Sequence, residues 1–186
     1  MPPHEALLFM MTRPKIIFFT GASGAGKTTL VHALSQALPN ASAAFLHFDN
    51  IGIPTEAEMI KVYGSGTEWQ KRMTFNWAQK LVEQSSNEKL IVFEGQTDLQ
   101  FIVEAFAAIN FAQYQIILVH CDAITRHQRL EANREQPELI NTDMDNWAGY
   151  LYKQAVAMGV PILNTTQMNV SEIINWFKKT YYTPKV

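Results

Sequence analysis

Residues 16–30 decide the fold of this chain, where Ile16-Ile17-Phe18-Phe19-Thr20 is followed by Gly21-Ala22-Ser23-Gly24-Ala25-Gly26-Lys27-Thr28-Thr29-Leu30. The second part fits the pattern G-x-x-x-x-G-K-[ST], which lies between a buried strand and a helix. Glycines let backbone N–H groups turn inward around a phosphate, and the N-terminus of the next helix adds partial positive charge. We therefore predict a phosphate-binding loop (P-loop) at residues 21–28.

The residue types in this loop match the chemistry of a bound nucleoside triphosphate. The Lys27 ammonium is expected to reach the β- and γ-phosphates, and the Thr28 hydroxyl is a ligand for Mg²⁺. We predict ATP and Mg²⁺ as cofactors, with GTP as the open alternative. The predicted nucleotide-binding residues of the loop are Gly21, Ala22, Ser23, Gly24, Ala25, Gly26, Lys27, Thr28 and Thr29.

The rest of the chain alternates short apolar runs with longer helical patterns, which indicates a parallel sheet with crossover helices. Most runs are solidly apolar, as expected for strands covered on both faces. The prediction is an α/β, three-layer P-loop NTPase fold with a five-stranded parallel sheet. Strands are predicted at Lys15–Thr20, Ala44–Phe48, Leu90–Phe93, Gln115–His120 and Pro161–Leu163, and helices at Lys27–Leu38, Thr67–Gln84, Asp98–Ala108, Ala123–Arg134, Asp143–Met158 and Val170–Thr180.

Several conspicuous side chains are predicted to be structural. One apolar stripe recurs every four residues along the second helix, at Trp69, Met73, Trp77 and Leu81. This spacing favours a core-facing helix over a cofactor site. Cys121 follows an apolar strand and is predicted to be a buried thiol. His47 and His120 lie in or at the ends of strands, and we also interpret them as structural.

The composition indicates one compact domain of 186 residues. A formal charge of −2 favours neither nucleic acid nor an anionic membrane surface as a partner. The single cysteine precludes an internal disulfide and fits a reducing, cytoplasmic compartment. The apolar patch Ala6–Met11 is too short to span a bilayer. We predict a single domain over residues 1–186, with residues 1–14 as an N-terminal extension, in a monomer or homodimer.

Other classes of P-loop protein fit this sequence less well. A GTPase needs the guanine-specificity motif N-K-x-D downstream, and the sequence does not contain it. The segment Asp49-Asn50-Ile51-Gly52 matches D-x-x-G, but so short a pattern is weak. An ABC or AAA-type motor needs a longer chain and further elements, which we do not find. A P-loop alone does not decide among these classes.

Four segments beyond the P-loop carry a more specific resemblance. They are Phe45-Leu46-His47-Phe48-Asp49, Phe93-Glu94-Gly95-Gln96, the arginines Arg126, Arg129 and Arg134, and Asn164-Thr165-Thr166. With the P-loop they make the chain resemble the nucleoside-monophosphate-kinase-like group, which includes shikimate, gluconate and adenylylsulfate kinases and chloramphenicol phosphotransferase. The resemblance implies an acceptor-binding region at about residues 50–88 and an arginine lid at about 122–142. It also implies that Thr165 borders the base.

Two carboxylates stand where open α/β sheets collect their ligands, at the carboxyl ends of strands. Phosphoryl transfer to a hydroxyl needs a carboxylate that positions the acceptor and takes its proton, and we assign this role to Asp49. Glu94 follows its strand in the manner of a Walker B acid, so it orients Mg²⁺ through water or holds the acceptor. The two assignments are interchangeable at this stage. Capping of a loop or helix is the ordinary alternative for each.

The predicted lid helix directs three arginines to one side, because residues 126, 129 and 134 share a helical face. We predict that Arg126 and Arg129 are catalytic and that Arg126 also binds the nucleotide, since guanidinium groups stabilise charge on phosphoryl oxygens. Surface ion pairs with Glu131 and Glu135 are the competing interpretation.

The acceptor is predicted to bind Asp49, Arg72, Glu94 and Gln96, with Gly64-Ser65-Gly66 as a hinge or a plain turn. The stretch D-G-x-P-R, usual after the third strand in nucleoside-monophosphate kinases, is replaced by Glu94-Gly95-Gln96-Thr97, which disfavours a nucleotide acceptor. We predict an ATP-dependent kinase that phosphorylates a hydroxyl of a small molecule. The alternative is a regulatory module that binds or hydrolyses ATP without an acceptor.

Overall fold

The computed structural model describes residues 14–38, 43–85, 89–134 and 136–182, so residues 1–13 of the predicted extension lie outside the described part. Within it, one parallel sheet has the strand order β2-β3-β1-β4-β5. The strands are β1 (Ile16–Thr20), β2 (Ala43–His47), β3 (Leu90–Gly95), β4 (Tyr114–His120) and β5 (Ile162–Asn164). The predicted α/β fold with a five-stranded parallel sheet is confirmed.

Helices cover both faces of the sheet, which makes three layers. The helices are α1 (Lys27–Ala37), α2 (Glu56–Tyr63), α3 (Gly66–Ser85), α4 (Leu99–Ala108), α5 (Ala123–Arg134), α6 (Thr142–Met158) and α7 (Val170–Tyr181). Buried residues of α3, α4 and α6 form the core on one face, and buried residues of α1 and α7 form the core on the other. The sequence of the central strand β1 is solidly apolar because both of its faces are buried. Ile16 and Phe18 belong to the first core, whereas Ile17 and Phe19 belong to the second.

The predicted stripe on α3 is confirmed as core, since Trp69, Met73, Trp77 and Leu81 are all buried. Helix α3 also holds the turn that follows β2, because the indole Nε1 of Trp77 donates to the carbonyl oxygen of Phe48 at 3.1 Å. Cys121 is buried, as predicted, and burial raises the pKa of its thiol.

The structure differs from the sequence prediction between β2 and α3. Helix α2 was not predicted, although its N-terminus has a capping box in which Thr55 and Glu58 bind each other's backbone N–H. Gly64 ends α2 in the left-handed conformation with φ of 87°, and α3 begins two residues later. The predicted hinge therefore separates two helices. Strand β3 also extends to Gly95, so Glu94 lies inside the sheet rather than after it.

None of the helices in the described ranges is long and apolar enough to cross a membrane.

Candidate active site

The P-loop joins β1 to α1, and its glycines are required by its surroundings. Gly24 has φ of 80°, and a Cβ added there would lie 2.8 Å from Cγ of Arg126. Gly26, with φ of 98°, immediately precedes α1. The Lys27 ammonium folds back over the loop and donates to the carbonyl oxygens of Gly21 at 2.8 Å and Ala22 at 3.0 Å. A loop held in this way is shaped before any ligand binds.

Glu94 lies beside the P-loop and is 7% exposed. Its Oε1 accepts a hydrogen bond from the Thr28 hydroxyl at 3.1 Å and lies 2.8 Å from Nδ1 of His47. The contact with His47 follows from the sheet, because His47 and Glu94 are register partners on the neighbouring strands β2 and β3. From the sequence we interpreted His47 as structural and did not predict this contact with Glu94. The position of His47, two residues before the strand-end acid Asp49, could have indicated that it lies at the site.

Asp49 lies two residues beyond the end of β2, in the 3₁₀ turn Phe48–Ile51, and its side chain is exposed. The turn is anchored by Phe48, whose ring makes an edge contact with Trp69 at a centroid separation of 5.9 Å. Phe48 also packs against Gly95, where an added Cβ would lie 2.6 Å from Cβ of Phe48. The aromatic core beneath the turn therefore determines where Asp49 stands.

Both carboxylates open onto one cavity of about 310 Å³, which the P-loop also lines. We call it the acceptor cavity after the role predicted for its residues. Its polar residues are Ser23, Lys27, Thr28, Asp49, Gln70, Glu94 and Gln96, and its apolar residues are Phe48, Ile53, Trp69, Leu139 and Met144. Gln96 connects the segment after β3 with the P-loop, since its Oε1 accepts from the Ser23 hydroxyl at 2.9 Å. The sheet has thus brought together six of the predicted site residues from distant parts of the chain, namely Ser23, Lys27, Thr28, Asp49, Glu94 and Gln96.

A second cavity of about 330 Å³ lies on the other side of the P-loop. It is lined by Gly24, Gly26, Thr29, Leu30, Arg129, Thr165, Met168, Asn169, Val170 and Ile173. The Thr165 hydroxyl donates to the carbonyl oxygen of Ala25 at 2.9 Å, which ties the loop after β5 to the P-loop. This cavity, which we call the nucleoside-side cavity after the role predicted for it, contains Gly24, Gly26, Thr29, Arg129 and Thr165 from the predicted set.

Two of the three arginines on α5, Arg126 and Arg129, lie against the P-loop rather than in an ion pair with Glu131. Arg129 donates to the hydroxyl of Thr165 at 2.9 Å and to its carbonyl oxygen at 3.0 Å. Arg126 is 1% exposed and forms an ion pair with Asp145 on α6. Burial lowers the pKa of the Arg126 guanidinium, and among the described residues its Nη1 has no hydrogen-bond partner. The side chain of Arg134 lies outside the described part.

Arg72 does not join the other predicted acceptor-binding residues. It is exposed on α3 and lines a separate surface depression with Val62, Tyr63, Glu68, Lys71, Phe75 and Asn76. Trp69, one turn earlier on α3, is buried and lines the acceptor cavity, so the two depressions lie on different parts of this helix.

The residues beside the P-loop suit a magnesium nucleotide. Thr28 Oγ1 and Glu94 Oε1 are oxygen ligands of the kind that Mg²⁺ prefers, and Mg²⁺ keeps several waters when it binds phosphates. The described residues contain no group of three or more His, Cys, Asp or Glu that could hold a metal ion. A site of one or two protein oxygens is consistent with an ion held mainly by phosphates and water.

These features define a P-loop nucleotide-binding protein. The sequence profile of the AAA domain family matches residues 17–147, so the chain belongs to that family. No curated protein matches the chain significantly in sequence.

Solved structures show that the fold is that of the nucleoside-monophosphate-kinase-like group. Shikimate kinase from Acinetobacter baumannii in complex with shikimate is 16% identical, with a TM-score of 0.60, over 95% of this chain and 96% of that one. Tunicamycin resistance protein from Deinococcus radiodurans is 14% identical, with a TM-score of 0.62, over 90% and 95%. APS kinase from Mycobacterium tuberculosis, in complex with AMPPNP and APS, is 12% identical, with a TM-score of 0.60, over 92% and 99%.

Proposed function

We propose that this protein is an ATP-dependent small-molecule kinase that transfers the γ-phosphoryl group to a hydroxyl with Mg²⁺. The observation that carries the proposal is the acceptor cavity, in which P-loop residues and two strand-end carboxylates line one space. A module that only binds or hydrolyses ATP has no need of a lined space beyond the terminal phosphate. The fold shared with two enzymes named as kinases supports the same conclusion at the level of the fold.

In this proposal the P-loop amides and Lys27 hold the phosphates, and Thr28 and Glu94 hold Mg²⁺. The ion would neutralise charge on the phosphoryl oxygens. Lys27 would exchange its contacts with two loop carbonyls for contacts with the β- and γ-phosphates. Glu94 suits the metal role because it is buried and already accepts from the Thr28 hydroxyl.

Asp49 is the proposed general base, because it is an exposed carboxylate at the edge of the acceptor cavity. It would orient the acceptor hydroxyl and take its proton as the oxygen attacks the γ-phosphorus. The aromatic anchor under its turn holds it in place, and positioning is the main contribution a protein makes to phosphoryl transfer. This assignment gives Asp49 and Glu94 separate tasks.

Arg126 and Arg129 are the proposed lid arginines. The aliphatic part of Arg126 passes directly behind Gly24, and within the described ranges its buried Nη1 donor has no hydrogen-bond partner. Arg129 donates to Thr165 and lines the nucleoside-side cavity. The Arg129 guanidinium lies 3.4 Å from the P-loop carbonyl oxygen of Ala25, whereas Arg126 packs on the P-loop through its aliphatic part. In the proposal both side chains would bind phosphoryl oxygens bidentately once Mg·ATP is bound.

The loop after β5 favours adenine over guanine. Its backbone N–H groups from Thr165 to Asn169 all donate within the protein, to His120, Asn164 and Glu172. The loop therefore has no backbone N–H left for the O6 carbonyl of guanine, whereas its carbonyl oxygens can accept from the 6-amino group of adenine. We propose ATP as the preferred triphosphate.

Calorimetry with Mg·ATP and Mg·GTP tests the nucleotide part of the proposal. We expect measurable binding of Mg·ATP and weaker binding of Mg·GTP. Lys27→Ala should weaken Mg·ATP binding about 10- to 100-fold, because it removes a charged hydrogen-bond donor. Equal affinity of that variant and the native protein would contradict the role of Lys27.

Release of ADP with and without added hydroxyl compounds tests the transfer step. Asp49→Asn should keep the affinity for ATP and lower acceptor-dependent turnover by about 10²- to 10⁴-fold, the range of general-base catalysis. Near-native turnover in this variant would mean that another carboxylate is the base. Steady hydrolysis that no acceptor stimulates would favour the regulatory module instead.

A further inference from the structure

Arg126 is a buried cation whose hydrogen-bonding capacity is only partly used. Its side chain leaves α5 against the P-loop, since its Cγ lies 2.8 Å from the position that a Cβ on Gly24 would occupy. Its Nη2 forms an ion pair with Asp145, whereas within the described ranges its buried Nη1 has no hydrogen-bond partner. A buried donor without a partner is costly, and a guanidinium binds anionic oxygens best through two nitrogens. Asp145 therefore satisfies Arg126 only in part.

Asp145 has other sources of stabilisation when the ion pair opens. Its side chain is 38% exposed, so water can reach the carboxylate. It lies in the first turn of α6, where the N-terminus of the helix favours negative charge. Its Oδ1 also lies 2.9 Å from Nε2 of His127. Loss of Arg126 would thus leave the carboxylate hydrated and close to a second partner.

The imidazole of His127 lies between the two charged groups and can satisfy only one of them at a time. Its Nε2 is 3.2 Å from Nη2 of Arg126 and 2.9 Å from Oδ1 of Asp145. A guanidinium has only donors, so toward Arg126 this nitrogen must accept, whereas toward the carboxylate it must donate. The cluster therefore has two arrangements, in which either Arg126 or His127 is the main partner of Asp145.

We propose that Asp145 is a positioning residue that competes with a magnesium triphosphate for the Arg126 guanidinium. This inference rests on the proposed function, in which Arg126 binds phosphoryl oxygens, and it adds the group from which the nucleotide must take that arginine. The Cγ of Arg126 already lies on the P-loop, so the torsions beyond it determine whether the guanidinium meets Asp145 or a phosphate. Opening the ion pair lowers the apparent affinity for the nucleotide.

Calorimetric titration with Mg²⁺ and a non-hydrolysable ATP analogue tests this competition. Asp145→Asn keeps the shape of the side chain and removes its charge, so the variant should bind the analogue about threefold more tightly or better, as expected for loss of one competing ion pair. The same variant should unfold at a lower urea concentration, because a buried guanidinium loses its counter-charge. Tighter binding by a less stable protein is a result that a merely structural role of Asp145 would not give.

Two further variants assign the gain to Arg126. Asp143→Asn removes an exposed carboxylate from the same turn of α6, so it controls for the general effect of charge and should leave the affinity within about twofold of the native value. Arg126→Gln should by itself weaken binding about tenfold or more, because a charged donor is lost. In the Arg126→Gln background, Asp145→Asn should no longer strengthen binding, because the competition has lost its object.

A measurement on the native protein supports the same test should Asp145→Asn fold poorly. The guanidinium signals of Arg126 in ¹⁵N NMR, assigned by their loss in Arg126→Gln, should shift when the protein is saturated with Mg²⁺ and the analogue. Unchanged signals would overturn the inference.

The calorimetric outcomes separate this inference from the kinase proposal. Equal or weaker binding by Asp145→Asn, a gain that persists in the Arg126→Gln background, or an equal gain in Asp143→Asn would overturn the inference and leave the kinase proposal standing. No binding of the analogue by the native protein or by any variant would overturn both.

Discussion

Replacing Gly24 by alanine is expected to lower the free energy of unfolding by about 2–5 kcal/mol. Two costs add up in this figure. A non-glycine residue in the left-handed conformation costs about 1–2 kcal/mol, and Gly24 has φ of 80°. Forcing a methyl group into packed surroundings costs about a further 1–3 kcal/mol, and its contacts would be 2.8 Å to Cγ of Arg126 and 3.0 Å to Cγ of Leu130. The carbonyl oxygen of Arg126, also at 3.0 Å, belongs to helix backbone and has little freedom to move.

Gly159→Ala is the matched control for this substitution. Gly159 ends α6 with φ of 65°, and an added Cβ there would have no heavy atom within 4 Å. It therefore carries the backbone cost alone. Equilibrium unfolding in guanidinium chloride should show Gly24→Ala to be about 1–3 kcal/mol less stable than Gly159→Ala, with similar slopes. Equal destabilisation by the two substitutions would refute the packing of α5 against the P-loop.

Two histidines give further predictions. His47→Leu should lower acceptor-dependent turnover about tenfold, whereas His47→Asn should retain most of it, because an amide nitrogen can replace Nδ1 against Glu94; equal loss in both variants would contradict a positioning role. Burial lowers the pKa of His120, so the folded state favours its neutral form. The contribution of neutral His120 to the free energy of unfolding is therefore complete above the ordinary histidine pKa of about 6.5. This contribution is lost as the pH falls from about 6.5 toward the lowered pKa of the folded state. The urea midpoint should thus fall less between about pH 7.5 and about pH 5.5 in His120→Gln than in the native protein; the exposed His32→Gln is the control, and an unaltered pH profile in His120→Gln would contradict the prediction.

Local patterns predicted much of the fold. The five strands and six of the helices were found because apolar runs and four-residue spacing report burial directly. Helix α2 was missed because it has no buried residue, so it lacks the apolar stripe that identified the others. Its capping box at Thr55 and its glycine stop at Gly64 were the available signals.

The candidate site was predictable in parts. The acids Asp49 and Glu94 were recognised because the carboxyl ends of parallel strands meet at one edge of a sheet. The direction in which a helix presents its charges was harder to predict. Arg72 was expected beside the acceptor, but its position on α3 directs it to a different depression. Arg126 was expected on a lid, and the structure buries it against the P-loop and Asp145.

The sequence by itself determined the P-loop, because every residue of that motif lies within one short stretch and its conformation follows from glycine freedom and the helix that begins there. Only the tertiary structure decided how the site is assembled. Thr28 and Glu94 meet across 66 residues of chain, His47 and Glu94 across 47, and Arg129 and Ala25 across 104. Such contacts depend on strand order and register, which are properties of the packed sheet and of no single segment.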